Sequence, residues 1–473
     1  MSTVQTREYS PLIAKLGDEY ARYSPTSARL HNKAQMSLVD GTSHELRLVQ
    51  PFPPCIVAAQ GAWAKDADGH SILDLWQGHL ANILGHNPEP ITRVLAQNLA
   101  GGSGLQTGLI SDLEIEAAEL LCRLSGAERV RFTVTGSLAT MYAVMLARAH
   151  TGRDLVLKVG GGWHGAQPWG LKGVGYQDGY QHMDSEGLPD VFGNEIIVTH
   201  LNEPQQLDDL FSQVGDRIAC FIIEPVAVAG GVVPASVEYM RAARELTARH
   251  GAVLILDEVV TGFRFRAGDA GRLYNVQPDL AVFAKILGGG MPVAAVAGRT
   301  EILDLVSSAN GARVKFSGGT YSAHPASLTA AITMMSYLAD HEEQIYSRLA
   351  DLGAKIRHLF ESAFCEEGIE ARCTGGGNEA IMGSCLWGVH FPLQENLSLD
   401  KPHLLHNPEF FDVSLRRSSV LTLALLLENV HIMRMHGAVT AAHTEEDILF
   451  LDLACRRVAR RIKEFRETGR VIK

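Results

Sequence analysis

The stretch Ala252-Val-Leu-Ile-Leu-Asp-Glu258 decides the fold. Five apolar residues run unbroken into two acids, directly after Gly251. That glycine closes an amphipathic helix over Val237–His250, with Val237, Met240 and Leu246 on one side. A short strand that is apolar on both faces and fed by a helix belongs to a parallel sheet covered on both sides.

Working outward, the same reading gives strands at 154–158, 220–224 and 280–283, and a helix over 138–150 with Met141, Val144, Met145 and Ala149 at helical spacing. Upstream, 56–75 alternates as a hairpin with its turn at Asp68-Gly69, and a helix is expected over 11–23. Downstream, helices over 328–339 and 342–363 lead into a smaller α+β region. The expected organisation is an N-terminal segment, 1–75, packing with the small domain, a large α/β domain, 76–330, and a C-terminal small domain, 331–473.

The chain has 473 residues, with Lys+Arg 42 against Asp+Glu 53 and a net charge of −11. Hydrophobic content of 46% and charged content of 20% exclude a disordered chain. The acidic balance gives no footprint for nucleic acid. The opening Met1-Ser-Thr-Val-Gln-Thr-Arg-Glu-Tyr-Ser10 has no apolar core, so no leader is expected. No apolar run nears the ~20 residues of a membrane span. Seven scattered cysteines include no Cys-x-x-Cys pair, so neither zinc site nor disulfide framework is indicated. His403/His406 and His431/His436 lack a set of fellow ligands, so no metal site is expected. These features predict a cytoplasmic protein.

In open parallel sheets, ligands bind beyond the carboxyl ends of the strands. Asp257-Glu258 stands at one such end, where an acid could face a protonated ring or merely make a surface pair. Ala284-Lys285-Ile-Leu-Gly-Gly-Gly290 stands at another. A lysine partly withdrawn from water loses basicity, which suits Schiff-base chemistry, although a snorkelling lysine at a turn fits the same pattern. Thr135-Gly136-Ser137 precedes a helix, whose free N–H groups suit a phosphate or simply a serine cap. Gly160-Gly161-Gly162-Trp163-His164 offers a ring that could stack on a planar group or plug the core. Aldehyde, ring nitrogen, ring face and phosphate together describe pyridoxal 5′-phosphate.

The sequence resembles the class III, fold-type I pyridoxal-phosphate enzymes, in particular the glutamate-1-semialdehyde 2,1-aminomutase branch and its aminotransferase relatives. The resemblance runs from about 45 to 450. It is carried by Thr151-Gly-Arg-Asp154, Ile223-Glu-Pro-Val226, Leu254-Ile-Leu-Asp-Glu-Val-Val-Thr-Gly-Phe-Arg264, Pro278-Asp279 and Lys285-Ile-Leu-Gly-Gly-Gly-Met-Pro292. It implies a mostly parallel sheet in a large domain beside a smaller α+β domain. By the same resemblance Lys285 would hold the cofactor covalently and Asp257 would pair with its ring nitrogen. Val259 would pack behind the ring, Trp163 would stack on it with His164 beside, and Glu224 would lie among the cofactor contacts. Gly136 and Ser137 would bind the phosphate. Thr320, in Phe316-Ser-Gly-Gly-Thr-Tyr-Ser322, would reach the phosphate of a partner subunit, implying a homodimer with shared sites. Arg47 would bind a substrate carboxylate.

Departures from the family pattern concern the substrate. The phosphate turn, usually Ser-Gly-Thr-Glu-Ala, reads Thr135-Gly-Ser-Leu-Ala139. Ala229 replaces an asparagine, His79 a pocket tryptophan, and Met435-His436-Gly437 a stretch with an acid. The leading expectation is an aminotransferase that passes an amino group from an amino-acid donor to a carboxylate-bearing ketone or aldehyde, in specialised biosynthesis. A genuine aminomutase is the alternative, and a fold that binds without catalysis is the third.

Overall fold

The computed structural model describes residues 8–468; the first seven residues of the opening stretch lie outside them. A seven-stranded sheet organises the chain. Its strands are β1 (Arg129–Thr133), β2 (Leu155–Val159), β3 (Ile196–Thr199), β4 (Ile218–Ile223), β5 (Val253–Glu258), β6 (Leu280–Phe283) and β7 (Ala294–Gly298). The spatial order is β1-β7-β6-β5-β4-β2-β3. All neighbours are parallel except β7, which runs against both β6 and β1.

Alternation along the strands splits the core in two. Leu254 and Leu256 of β5 join Phe221 and Ile223 in the larger apolar cluster. Val253 and Ile255 join Cys220 and Ile222 in the second, under the helix Gly136–Thr151. Successive side chains of a strand point to opposite faces, so both faces of the sheet are covered. The helix Val237–His250 and strand β6 have the expected limits. Ser236 caps that helix, its Oγ accepting from the Tyr239 N–H at 3.1 Å, and Gly251 ends it at φ 65°.

Elsewhere the elements differ from expectation. The 56–75 region is a three-strand meander, Ile56–Gln60, Trp63–Asp66 and Ser71–Asp74, with a second turn at Gly61. Its last strand pairs in parallel with Val430–His431. A second helix, Pro25–Gln35, follows Ser10–Tyr23. Strand β5 extends through Asp257 and Glu258, which belong to the strand rather than to the turn after it. Among the described residues no helix is long and apolar enough to cross a membrane, and all seven cysteines are free.

Candidate active site

Five segments leave the carboxyl end of the sheet side by side: 134–137 after β1, 160–165 after β2, Glu224 after β4, Asp257 at the tip of β5 and Lys285 after β6. Register sets them, since Asp257 pairs with Val282 of β6 and Leu256 with Ile223 of β4.

Asp257 is 3% exposed. Its Oδ1 accepts from the Val259 N–H at 3.1 Å, and Oδ2 lies 2.8 Å from Nδ1 of the buried His164. Burial lowers the pKa of His164 against the pull of Asp257, so the ring is neutral and donates from Nδ1. Its Nε2 has no partner among the described residues. Glu224 is buried as well, and its Oε1 accepts from the Trp163 N–H at 2.9 Å. Burial and then the Asp257 charge push Glu224 up to about 8, so it carries a proton at neutral pH. Trp163 itself is 44% exposed.

Lys285 begins a tight turn, Lys285–Gly288, at φ 51°. A non-glycine residue there is uncommon and is held by its surroundings. Burial lowers its ammonium to about 8, against Asp257 and Glu224, which favour the charge. The lysine therefore holds a substantial neutral fraction near physiological pH.

The helix Gly136–Thr151 points its N-terminus at the same spot. Thr135 caps it, its Oγ1 accepting from the Leu138 N–H at 3.3 Å, so Ser137 is not the cap and keeps its hydroxyl free of that duty. The loop carrying His164 presses onto it: a Cβ on Gly165, φ 87°, would lie 2.3 Å from Ser137 Oγ. A Cβ on Gly136 would lie 3.0 Å from Val259 Cγ2. Gly136 thus packs against Val259, and Ser137 against Gly165.

The opposite wall is the segment Gln77–Leu80, whose four residues all take positive φ, 43°, 62°, 59° and 66°. This single left-handed turn is fixed from both ends. Asp74 accepts from the Trp76 and Gln77 N–H groups at 2.9 and 3.1 Å, and lies 2.9 Å from His86 Nε2 and 2.8 Å from His431 Nδ1. Against burial, these histidine contacts hold the Asp74 carboxyl far below the usual range. Buried Arg264 donates to the Leu80 carbonyl. The turn carries half-buried His79, whose ring meets His44 at 4.7 Å. Burial, then the charges of His44, Arg47 and Lys285, lower His79 to about 4. His79 therefore lies within reach of the charges of both Lys285 and the exposed Arg47. Thr320 is exposed too, its carbonyl accepting from Gln106 Nε2 at 2.8 Å, and it joins none of the hydrogen bonds of Asp257 or Glu224.

Sequence reading passed over Lys158, in the middle of β2 and 0% exposed. Its Nζ donates to the carbonyls of Gly162 and Gly170 at 3.0 Å and of Lys172 at 2.8 Å, tying down the loop that carries Trp163 and His164. A lysine inside an otherwise apolar strand was the available signal. The contacts of Asp74 and Arg264 carry no local signal because their partners are distant in the chain.

The family model for aminotransferase class-III matches residues 47–367. This chain belongs to the class III aminotransferases. It is 33% identical over 351 residues to a glutamate-1-semialdehyde 2,1-aminomutase of Halorubrum lacusprofundi, covering 74% of this chain and 75% of that one. It is 33% identical over 431 residues to the enzyme of that name from Laribacter hongkongensis, covering 89% and 96%. An omega-transaminase structure from Sphaerobacter thermophilus superposes with TM-score 0.81 at 28% identity, covering 92% and 97%. The chain is a fold-type I, pyridoxal-phosphate-dependent aminotransferase or closely related aminomutase. The residues fit the cofactor: a lysine of lowered basicity, a buried carboxylate with an oriented imidazole, and a helix N-terminus with glycines packed against it.

Proposed function

We propose that this class III enzyme is an aminotransferase that moves an amino group from an amino-acid donor to a carboxylate-bearing ketone or aldehyde, in specialised biosynthesis. The observation that carries the reading is the placement of Lys285 and Asp257 at adjoining strand ends, with His164 fixing the acid. Pyridoxal phosphate, when bound, supplies an electrophilic carbon and an electron sink. Asp257 holds negative charge for the ring nitrogen, and His164 Nδ1–H keeps that carboxylate from turning away. Lys285 Nζ moves the proton at the substrate carbon, a task suited to an amine near neutrality. Glu224, protonated, adds no second negative charge beside Asp257. Gly136 and Ser137 would hold the phosphate, Val259 and Trp163 would pack against the ring, and Arg47 would take a substrate carboxylate.

A homodimer with shared sites is part of the reading. Leu105, Leu109, Ile110 and Tyr321 are exposed apolar side chains flanking the Gln106–Thr320 contact, a patch suited to a subunit interface. Seven free cysteines suit a reducing cytoplasm.

The aminomutase reading is favoured by the relatives of that name. The departures from the family pattern at His79, Ala229 and His436 weigh against it. The test is the visible spectrum of the holoenzyme with L-glutamate and no acceptor. Bleaching of the lysine-bound cofactor band establishes donor half-transamination. A band unmoved by glutamate, with conversion of glutamate-1-semialdehyde to 5-aminolevulinate, selects the mutase.

A further inference from the structure

A second group of cations lies beside this pocket and plays no part in holding the cofactor. Arg416 is 6% exposed, its Nε has no partner, and it forms no ion pair among the described residues. Around it stand Tyr180, His390, His406 and His436, with Arg417 and Arg434 exposed at the margin. The nearest acid in the chain, Asp412, is taken up by Tyr9, Arg466 and the Leu415 N–H. Tyr180 Oη lies 3.0 Å from His406 Nδ1; with the phenol as donor, the other ring nitrogen of His406 is an N–H donor. Among the described residues, no carboxylate forms an ion pair with these groups.

Burial and then Arg417 disfavour the charge on Arg416. An unpaired buried guanidinium is costly, and such a group is retained where something neutralises it. Its planar fork matches the two oxygens of a carboxylate or phosphate.

The cluster rests one shoulder on each wall of the cofactor pocket. Tyr180 packs against Gly160 and Gly161, where an added Cβ would lie 2.4 and 3.3 Å from its ring and hydroxyl, just ahead of Trp163. His436 meets Trp76 edge-on at 5.1 Å, and Trp76 meets His79 at 5.5 Å. The segment 390–420 supplies His390, His406 and Arg416, and its Pro402 lies where Cβ atoms on Gly161 and Gly230 would touch it.

We infer that Arg416, with Tyr180, His406 and His436, forms an oxyanion subsite on the pocket wall, which takes a carboxylate or phosphate on the substrate arm remote from the transferred amino group. This rests on the aminotransferase reading above and names its substrate class: dianionic or phosphorylated acceptors rather than simple monocarboxylates.

The test is calorimetric titration of the holoenzyme, whose own phosphate cradle is filled, with glutarate, inorganic phosphate and butyrate. Glutarate or phosphate should bind, and Arg416→Met should weaken that binding about tenfold or more, the usual effect of losing a charge-assisted pair. Butyrate should bind more weakly and ignore the substitution. The preferred probe tells a carboxylate arm from a phosphate arm. His436→Asn, at a half-buried position, should weaken the same probe and serves if Arg416→Met does not fold. Absence of binding by glutarate and phosphate, or equal binding by wild type and both variants, overturns the subsite. The cofactor band, read separately, reports on the aminotransferase reading: its loss in wild type would sink that reading whatever the titration shows.

Discussion

Nδ1 of His164 lies 2.8 Å from Oδ2 of Asp257, with both side chains buried at the tip of the sheet. Among the described residues the imidazole is the one side chain bonded to that carboxylate, so it sets which way the acid faces. A hydrogen bond to a charged group contributes about 1.5–3 kcal/mol. His164→Phe should therefore lower kcat/KM by roughly 10- to 150-fold, with the cofactor still bound. His164→Asn, which keeps a donor, should recover part of the loss. Steady-state kinetics on both variants, beside the cofactor spectrum, would check this; wild-type activity in His164→Phe would remove the orienting role.

Lys285 gives a pH prediction. Only the neutral amine attacks a carbonyl, and burial lowers this one from its ordinary value to about 8. Capture of pyridoxal phosphate by the apoenzyme should accelerate as pH rises and level off above about 8, rather than climbing to the 10.4 of a free lysine. Stopped-flow absorbance across pH 6–10 would read it. Lys285→Ala should show no lysine-bound band at any pH, only the absorption of the unattached aldehyde.

Lys158 predicts a stability effect with a local signature. Lys158→Met leaves three buried carbonyls without a donor, and each unsatisfied group costs about 1–3 kcal/mol. A loss on the order of 3 kcal/mol in denaturant melts is expected. Hydrogen exchange should quicken over 160–172 before it does so elsewhere, because those carbonyls belong to that loop.

Acid should destabilise the fold through its histidines. Burial lowers His164, His390 and His406, and brings His436 to about 3 and His443 to about 4. The unfolded chain takes up these protons below about 6.5 while the folded one does not. Their contribution is fully present above 6.5 and is lost as pH falls from there towards the folded values, by up to about 1.4 kcal/mol per histidine per pH unit. Asp74, held below its usual range, adds to the same trend below about 4. Chemical denaturation at pH 7.5, 6 and 5 would measure the slope.

If Thr320 completes the site of a partner subunit, mixing inactive variants restores one site per heterodimer. Lys285→Ala subunits lack the amine, and Thr320→Ala subunits should bind cofactor weakly. Mixed in equal amounts and refolded together, half of the dimers are mixed and each carries one intact site, so tight cofactor binding should return in up to about a quarter of the sites, measured by fluorescence titration. No recovery would place Thr320 outside the phosphate site.

Much of this molecule can be read from local pattern. The strand Leu280–Phe283 and the helix Val237–His250 follow from continuous apolar character and from a serine and a glycine at the helix ends. The positions of Lys285, Asp257 and Ser137 follow because strand ends and helix starts announce themselves within a few residues. What stayed hidden depends on distant partners. Asp74 and His431 are 357 positions apart, and nothing around either one signals the other. Lys158 breaks an apolar strand, but its three carbonyls belong to a loop with no regular structure of its own. The turn at Gly61 is marked by neither Asn-Gly nor Asp-Gly, so the first two strands of the meander read as one.

The left-handed turn Gln77–Leu80 limits how this pocket can be re-engineered. Each L-residue wound to the left costs roughly 1–2 kcal/mol, and here Asp74 and Arg264 hold the turn in place. At position 79 the backbone's hand, before any contact with substrate, selects the side chain. Asparagine, aspartate and glycine tolerate that geometry, while valine, isoleucine and threonine do not. A library that varies His79 over all residues would therefore spend its β-branched members on misfolded protein; one restricted to residues at ease in the left-handed region would sample specificity instead.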